Sequence, residues 1–162
     1  MQKITPFLWF DKNAEEALNF YTSIFKNSKI GPISRYNEEM AKAAGMKAGD
    51  VLVAAFELEG QPFTALNGGP MFKFTEAVSF SVECKDQEEV DYFWEKLTSG
   101  GGQESMCGWL KDKFGLSWQI VPKEMGELIG GKDAVKEGRA MHAMLQMKKL
   151  DIQKLRDAYN GK

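Results

Sequence analysis

The segment Asn13-Ala14-Glu15-Glu16-Ala17 is the strongest indication of the fold, because it returns 73 residues later as Asp86-Gln87-Glu88-Glu89-Val90. Each copy follows a short apolar run and begins with a residue type that caps helices. Apolar side chains then recur every three or four positions, which predicts a helix with one buried face. A repeated unit that cannot bury its apolar face alone must pack against its second copy. We therefore expect two related modules, with a ligand site where they meet.

Turn residues and apolar alternation divide the rest of the chain. We predict a single domain over 1–162, in which the first module spans 1–70 and the second spans 77–122. A helical tail is predicted over 123–162. Both modules are expected to follow the order β-α-β-β-β.

Local signals predict several details within these modules. In the first, Asp11 or Asn13 is expected to cap the helix, and residues 38–50 are expected to form an exposed loop with one helical turn. In the second, one strand is predicted over 103–110, and the charged segment 111–113 is interpreted as a solvated turn. Asp133 and Asp151 are expected to cap two tail helices.

The composition is that of an ordinary soluble domain. The chain is 43% hydrophobic and 27% charged, with a formal net charge of −2. Its basic residues are spread evenly, so neither a nucleic-acid partner nor a polybasic membrane anchor is expected. No apolar run approaches the length of a membrane helix. Cys84 and Cys107 form no CxxC motif, and no secretory leader is visible, so we predict reduced thiols and a cytoplasmic location.

The last strands of the second module carry the richest mixture of aromatic and polar residues. Because alternate strand residues share a face, Cys107 and Trp109 should lie together, as should Ser117 and Gln119. This grouping predicts a ligand pocket. The alternative has equal weight: the tryptophans of this stretch fill the core and Gln119 satisfies a backbone group, since glutamine is seldom buried without a partner.

Other chemistries find little support in the sequence. A nucleophilic Cys107 needs a neighbouring base, and the single histidine, His142, falls on a tail helix. One histidine cannot form a histidine-rich metal site. The glycines at 100–102 follow a helix, whereas nucleotide-binding glycine loops follow a strand and open a helix. We therefore expect no metal and no nucleotide or S-adenosylmethionine cofactor.

The tail carries an apolar stripe at helical spacing. Its members are Val135, Met141, Met144, Leu145 and Met147. Methionine-rich stripes serve as adaptable binding surfaces, but we favour packing on the chain's own sheet or on a second subunit.

Several of these motifs together resemble one known family. They lie at 14–21, 66–70, 107–112 and 115–122, and the tail segments 143–147 and 150–152 fit as well. The doubled plan resembles the vicinal oxygen chelate superfamily of glyoxalases, extradiol dioxygenases and bleomycin-resistance proteins. Within it, the chain is similar to the PhnB-like group labelled 3-demethylubiquinone-9 3-methyltransferase. The resemblance implies an α+β fold in which two βαβββ modules form a cupped mixed β-sheet, followed by the helical tail.

The resemblance also implies where a metal would be held. The superfamily's metal enzymes place ligands on the first and last strands of each module, facing into the cup. The matching positions here are Thr5 or Pro6, Ala65 or Asn67, Ala77, and Gln119. Only Gln119 would ligate a metal well, so we expect a cup that binds without the usual metal.

We predict that the cup binds a small, partly aromatic molecule, because aromatic rings stack on such ligands and buried polar groups orient them. One alternative is a lyase-, dioxygenase- or transferase-like enzyme of the same fold, using Cys107 or a metal. Another is a protein whose methionine-rich tail binds a partner. A homodimer is expected, since such sheets leave edges that need cover. The predicted ligand-binding residues are Trp9, Phe56, Asn67, Phe80, Cys107, Trp109, Trp118 and Gln119.

Overall fold

The computed structural model describes residues 3–162, which divide into two compact units. The first unit ends at Lys73 and the second spans Phe74–Lys162. Each unit contains one four-stranded mixed sheet, and the strand order is the same in both. In each, the first strand pairs in parallel with the last, which also forms a hairpin with the strand before it. The duplicated βαβββ plan predicted from the repeat is therefore confirmed.

The first unit contains six elements. They are β1 (Phe7–Phe10), α1 (Ala14–Ile24), β2 (Ser28–Arg35), α2 (Glu38–Ala44), β3 (Val51–Leu58) and β4 (Gln61–Asn67). The edge strand β2 has two register irregularities against β3, as glycine and proline in its sequence predict. Helix α2 has seven residues, more than the single turn expected, because Asn37 caps its start and Gly45 ends it in a left-handed conformation.

Helix α1 covers one face of the first sheet. Its buried face includes Leu18 and Tyr21, and the Tyr21 ring stacks on Phe56 of β3. Asn13 precedes the helix, but its side chain makes no capping hydrogen bond. Instead, the Ala14 amide donates to Oδ1 of Asn67, 2.8 Å away at the end of β4. The capping group of α1 therefore comes from the sheet and not from the adjacent sequence.

The second unit contains eight elements. They are β5 (Ser79–Cys84), α3 (Gln87–Thr98), β6 (Gln103–Glu104), β7 (Trp109–Lys111), β8 (Ser117–Pro122), α4 (Met125–Ile129), α5 (Ala134–Met144) and α6 (Ile152–Asn160). The single strand predicted over 103–110 is wrong, because a turn at 105–108 divides it into β6 and β7. In that turn Cys107 and Gly108 have φ values of 61° and 81°, which a strand does not accommodate.

Local capping in the second unit follows the sequence closely. Asp86, Asp133 and Asp151 each accept a hydrogen bond from the amide three residues further on, at the starts of α3, α5 and α6. The two tail caps predicted from the sequence are therefore confirmed. None of the helices within residues 3–162 is long and apolar enough to cross a membrane.

The helical tail packs within the second unit. Helices α4 to α6 bury a small cluster that includes Leu128, Ala140 and Leu155, and Val121 of β8 packs against it. The predicted apolar stripe is divided between two environments. Its methionines Met144 and Met147 pack on this cluster, whereas Val135, Met141 and Leu145 are exposed.

Candidate functional site

Strand register gives the second sheet two different faces. Trp118 is buried on the face that α3 covers, and its neighbours Ser117 and Gln119 point to the opposite face. On the adjacent strand β7, Trp109 pairs with Gln119 and Lys111 pairs with Ser117. The face opposite α3 therefore gathers an indole, an ammonium, a hydroxyl and an amide on two neighbouring strands.

A cavity of about 540 Å³ lies against these strands, and we call it the β7–β8 cavity. Its size falls in the range of small-molecule sites, roughly 300–1,000 Å³. The residues lining it include Glu76, Met106, Cys107, Trp109, Lys111 and Ser117. All of them belong to the second unit.

An ion pair stands at the wall of this cavity. Lys111 Nζ lies 2.7 Å from Oε1 of Glu76, and the Lys111 and Glu76 side chains are 36% and 63% exposed. The hydrogen bond from Lys111 lowers the pKa of Glu76 below its ordinary value. Glu76 is therefore an anion at neutral pH, held by a lysine that a paired strand positions.

Ser117 is the most unusual polar residue of the site. Its side chain is 1% exposed, and within residues 3–162 its Oγ has no hydrogen-bond partner. Leaving a buried hydroxyl unpaired costs about 1–3 kcal/mol. A ligand in the cavity could satisfy this hydroxyl only after a neighbouring group moves, since the buried Oγ has almost no accessible surface.

The tail holds the rim of the cavity in place. The amide of Cys107 donates to the Met147 carbonyl at 2.7 Å, and the amide of Gly108 donates to the Lys148 carbonyl at 2.8 Å. A Cβ atom at Gly108 would lie 2.9 Å from the carbonyl oxygen of Ile120, so the rim approaches β8 more closely than other residues allow. Residues 105–108, the rim loop, are therefore fixed by carbonyl groups forty positions further along the chain.

Three of the predicted ligand-binding residues come together in the second unit. Cys107 and Trp109 line the β7–β8 cavity, and Gln119 lies beside Trp109 on the same face. The Gln119 side chain also has the partner that burial demands, since its Nε2 donates to Oγ of Ser79 at 2.9 Å.

Four others lie on the helix-covered side of their sheets or in the interior. Phe56 is buried and stacks on Tyr21, whereas Phe80 packs against buried Trp118. Asn67 is 2% exposed, and besides capping α1 it donates from Nδ2 to the Val51 carbonyl. These four side chains therefore stabilise the units in this structure and do not line the β7–β8 cavity.

Trp9, in the first unit, is held by the glycine turn that follows β4. A Cβ atom at Gly68 would lie 2.3 Å from the nearest atom of the Trp9 ring, so only glycine leaves room for it. The Trp9 Nε1 donates to the Gly69 carbonyl. Phe72 meets the same ring edge-on. The glycines of this motif therefore accommodate a tryptophan.

Sequence reasoning missed Lys111 and Glu76. Lys111 is two positions after Trp109 on one strand, so alternation could have placed it on the same face, whereas no local signal points to Glu76. The interpretation of 111–113 as a solvated turn is wrong for Asp112, which is 3% exposed. Its carboxylate accepts hydrogen bonds from two backbone amides and from the Trp118 indole.

The two cysteines differ in their environments, and this leads to a testable prediction. Cys84 is fully buried, and desolvation raises its pKa to about 12, whereas Cys107 is half-buried at the rim loop. We expect iodoacetamide at pH 8 to modify Cys107 in the native protein and Cys84 only in denaturant, since thiolates are the reactive form. Peptide mass spectrometry identifies the modified residue, and early modification of Cys84 would contradict this assignment.

The raised pKa of Cys84 also sets a direction for the pH dependence of stability. An unfolded thiol ionises near its ordinary pKa of 9.0, whereas the folded one keeps its proton to about 12. The contribution to stability is therefore fully present below about pH 9 and is lost as the pH rises through that window.

The chain is similar to one known protein family and to a solved structure of that family. The family described as 3-demethylubiquinone-9 3-methyltransferase matches residues 2–121. The solved structure of a PhnB protein from Bacillus cereus is 42% identical, covers 75% of this chain and 99% of its own, and has a TM-score of 0.67. Comparison with curated proteins gives no match. Because the family match ends at residue 121, it does not include the tail segments that were expected to fit.

Two more distant structures share the fold alone. Protein PA1353 from Pseudomonas aeruginosa is 18% identical, covers 75% of this chain and 98% of its own, and has a TM-score of 0.59. The fosfomycin resistance protein FosX from Listeria monocytogenes is 17% identical, covers 78% of this chain and 94% of its own, and has a TM-score of 0.53. Both therefore share with this chain the fold of two βαβββ modules that the sequence predicted.

The groups implied by the family name and by the fold do not fit these residues. The connections from β1 to α1 and from β5 to α3 contain no glycine, so they lack the glycine-rich loop on which a cofactor's charged groups rest. Within residues 3–162, no three His, Cys, Asp or Glu side chains are grouped to hold a metal ion. Of the matched metal positions, Ala65 is fully buried and Gln119 donates to Ser79. A site free of metal and cofactor stays a prediction.

Proposed function

The chain belongs to the 3-demethylubiquinone-9 3-methyltransferase family, and from this membership we propose that it binds a small, partly aromatic molecule in the β7–β8 cavity without a metal. One observation carries the proposal: the buried, unpaired hydroxyl of Ser117 lies at the wall of a cavity that Trp109 also lines. The hydroxyl supplies a directed hydrogen bond. The indole supplies a stacking surface worth about 0.5–1.5 kcal/mol beyond the area it buries.

A prediction follows for binding of a defined panel of aromatic probes. The panel is benzoate, indole-3-acetate and 2-naphthoate, each with its neutral primary amide. We expect at least one pair to bind the wild-type chain, and Trp109→Leu to weaken that binding about tenfold, since stacking and buried area are both lost. Ser117→Ala is expected to weaken it about fivefold. Isothermal titration calorimetry measures the dissociation constants.

Ser81→Ala provides the matched control. Ser81 pairs with Gln119 and is exposed on the same face of the sheet, but it does not line the cavity. Its removal should leave probe affinity unchanged. If no probe binds, or if Trp109→Leu and Ser117→Ala bind as tightly as the wild type, the cavity is not the site.

An enzymatic role is the second candidate, and the backbone of Cys107 favours it. A non-glycine residue with φ of 61° is strained, and such strain concentrates at active sites. Here the thiol lines the same cavity as Trp109. Under this alternative, Cys107→Ser would abolish turnover of a bound molecule while leaving its affinity intact.

Homodimerisation and a cytoplasmic location also belong to the proposal. The edge strands β2 and β6 each pair on one side only, so their outer edges can accept a second chain. Both cysteines are free, which suits a reducing compartment. Sedimentation equilibrium measures the oligomeric state directly.

A further inference from the structure

We infer that the ligand of the β7–β8 cavity is an aromatic carboxylate, whose acidic group replaces Glu76 as the partner of Lys111. This inference rests on the proposed function and specifies the class of molecule bound. It is carried by the position of Lys111, which adjoins the unpaired Ser117 hydroxyl in the strand register and lines the same cavity as Trp109.

Lys111 and Ser117 form a composite site for a carboxylate. They are directly opposed residues of an antiparallel pair, so their side chains project in the same direction, away from α3. A carboxylate has two oxygens and accepts from several donors at once. One oxygen can accept from Lys111 Nζ, and the other can accept from Ser117 Oγ after a neighbouring side chain shifts, a shift that is needed because this buried oxygen has almost no accessible surface.

Glu76 acts as the internal competitor for this position. Its carboxylate already forms the bond to Lys111 that a ligand carboxylate would form, at 2.7 Å. Glu76 lies before β5, outside the paired strands, and its side chain is 63% exposed. Exchanging this exposed carboxylate for that of a ligand therefore conserves the ion pair and costs little, because exposed pairs are weak.

The other acidic side chain of the cavity is already engaged. Oε1 of Glu104 accepts from the Trp94 indole at 2.7 Å, and its Oε2 lies 3.8 Å from Lys148 Nζ. Glu104 is thus committed to its own partners. In the Lys111–Glu76 pair, a ligand carboxylate can replace Glu76, while Lys111 stays in place on its strand.

The same panel of carboxylates and amides tests this inference, with benzylamine added as a cationic probe. We expect each carboxylate that binds to do so about tenfold more tightly than its amide, and Lys111→Met to abolish that preference. Glu76→Gln should tighten carboxylate binding about threefold and leave amide binding unchanged, because only the carboxylate competes with Glu76. Calorimetry at low salt measures the dissociation constants of the carboxylates, the amides and benzylamine for the wild type and for each variant.

Lys29→Met is the control, since it breaks an ion pair away from the cavity, the cross-strand pair Lys29–Glu57 at 3.1 Å in the first unit. It should leave the carboxylate preference intact. If Lys111→Met does not fold by circular dichroism, Glu76→Gln decides the question, because Glu76 lies outside the sheet.

The outcomes separate this inference from the proposed function. Equal affinity for carboxylates and amides, or tighter binding of benzylamine, overturns the inference and leaves the cavity as a binding site. A Glu76→Gln variant that weakens carboxylate binding also overturns it. Failure of every probe to bind overturns both.

Discussion

Replacing Asp112 with alanine is expected to lower the free energy of unfolding by about 3 kcal/mol, because three donors lose one buried acceptor. Oδ1 of Asp112 accepts from the amides of Phe114 and Leu116, at 2.9 and 3.1 Å. Oδ2 accepts from the Trp118 indole at 2.9 Å. The carboxylate therefore organises the whole turn between β7 and β8 and links it to the core tryptophan.

Two further variants separate the parts of this effect. Asp112→Asn keeps an oxygen for the two amides but turns an NH₂ group toward the Trp118 indole, so about half of the loss is expected. Lys113→Ala, in the same turn, should change stability by less than about 0.5 kcal/mol. Urea unfolding followed by circular dichroism measures all three variants. A loss with alanine no greater than that of Lys113→Ala would show that the buried carboxylate is not needed.

The turn matters for function because Lys111 immediately precedes it. Lys111 is the last residue of β7 and pairs with Ser117, the first residue of β8. A loosened turn would separate this pair without removing either side chain. Asp112→Asn is therefore also expected to weaken carboxylate binding, although Asp112 does not line the cavity.

The topology could be predicted from the sequence because the helices repeat faithfully. Buried Ala17, Tyr21 and Ile24 of α1 correspond to buried Val90, Trp94 and Leu97 of α3 at the same offset. Helix caps such as Asp86 could also be predicted from the sequence, since the capping side chain binds an amide only three residues further on. Patterns confined to one helix or one turn are readable without knowing the fold.

Which face of each strand is buried could not be predicted, because the 73-residue offset that aligns the helices does not align the buried positions of the strands. Leu8 and Phe10 are buried, but the residues 73 positions later, Ser81 and Glu83, are exposed. Alternation shows which residues share a face but does not show which face a helix covers. For that reason Phe56 was expected in the cup and instead packs beneath α1.

Long-range contacts account for the rest of what was missed. The rim loop depends on carbonyls of Met147 and Lys148, and Asp112 depends on backbone amides and an indole that only the folded turn brings together. Neither arrangement leaves a periodic signal. A left-handed conformation at Cys107 is especially hidden, since non-glycine residues seldom adopt it.

Asn67 tests whether a predicted ligand-binding residue is structural. Asn67→Ala is expected to lower the free energy of unfolding by about 3 kcal/mol. The buried side-chain amide accepts a hydrogen bond from the Ala14 backbone amide and donates one to the Val51 carbonyl, and both would be lost. Asn67→Asp keeps the acceptor for Ala14 but sets a carboxylate oxygen against the Val51 carbonyl, so it should also destabilise the first unit. Urea unfolding gives the free energies, and hydrogen exchange at Ala14 reports the helix terminus.

Asn37→Ala is the control, because Asn37 is an exposed helix cap. The one hydrogen bond described for its side chain is accepted from the Met40 amide. Losing such a cap costs about 1 kcal/mol. If Asn67→Ala costs no more than this, the buried amide is not what joins α1 to the sheet. Should that variant instead retain stability and lose affinity for the aromatic probes, the ligand-binding role predicted from the sequence would be correct. Stability and affinity measured on the same variant therefore distinguish the two roles of one asparagine.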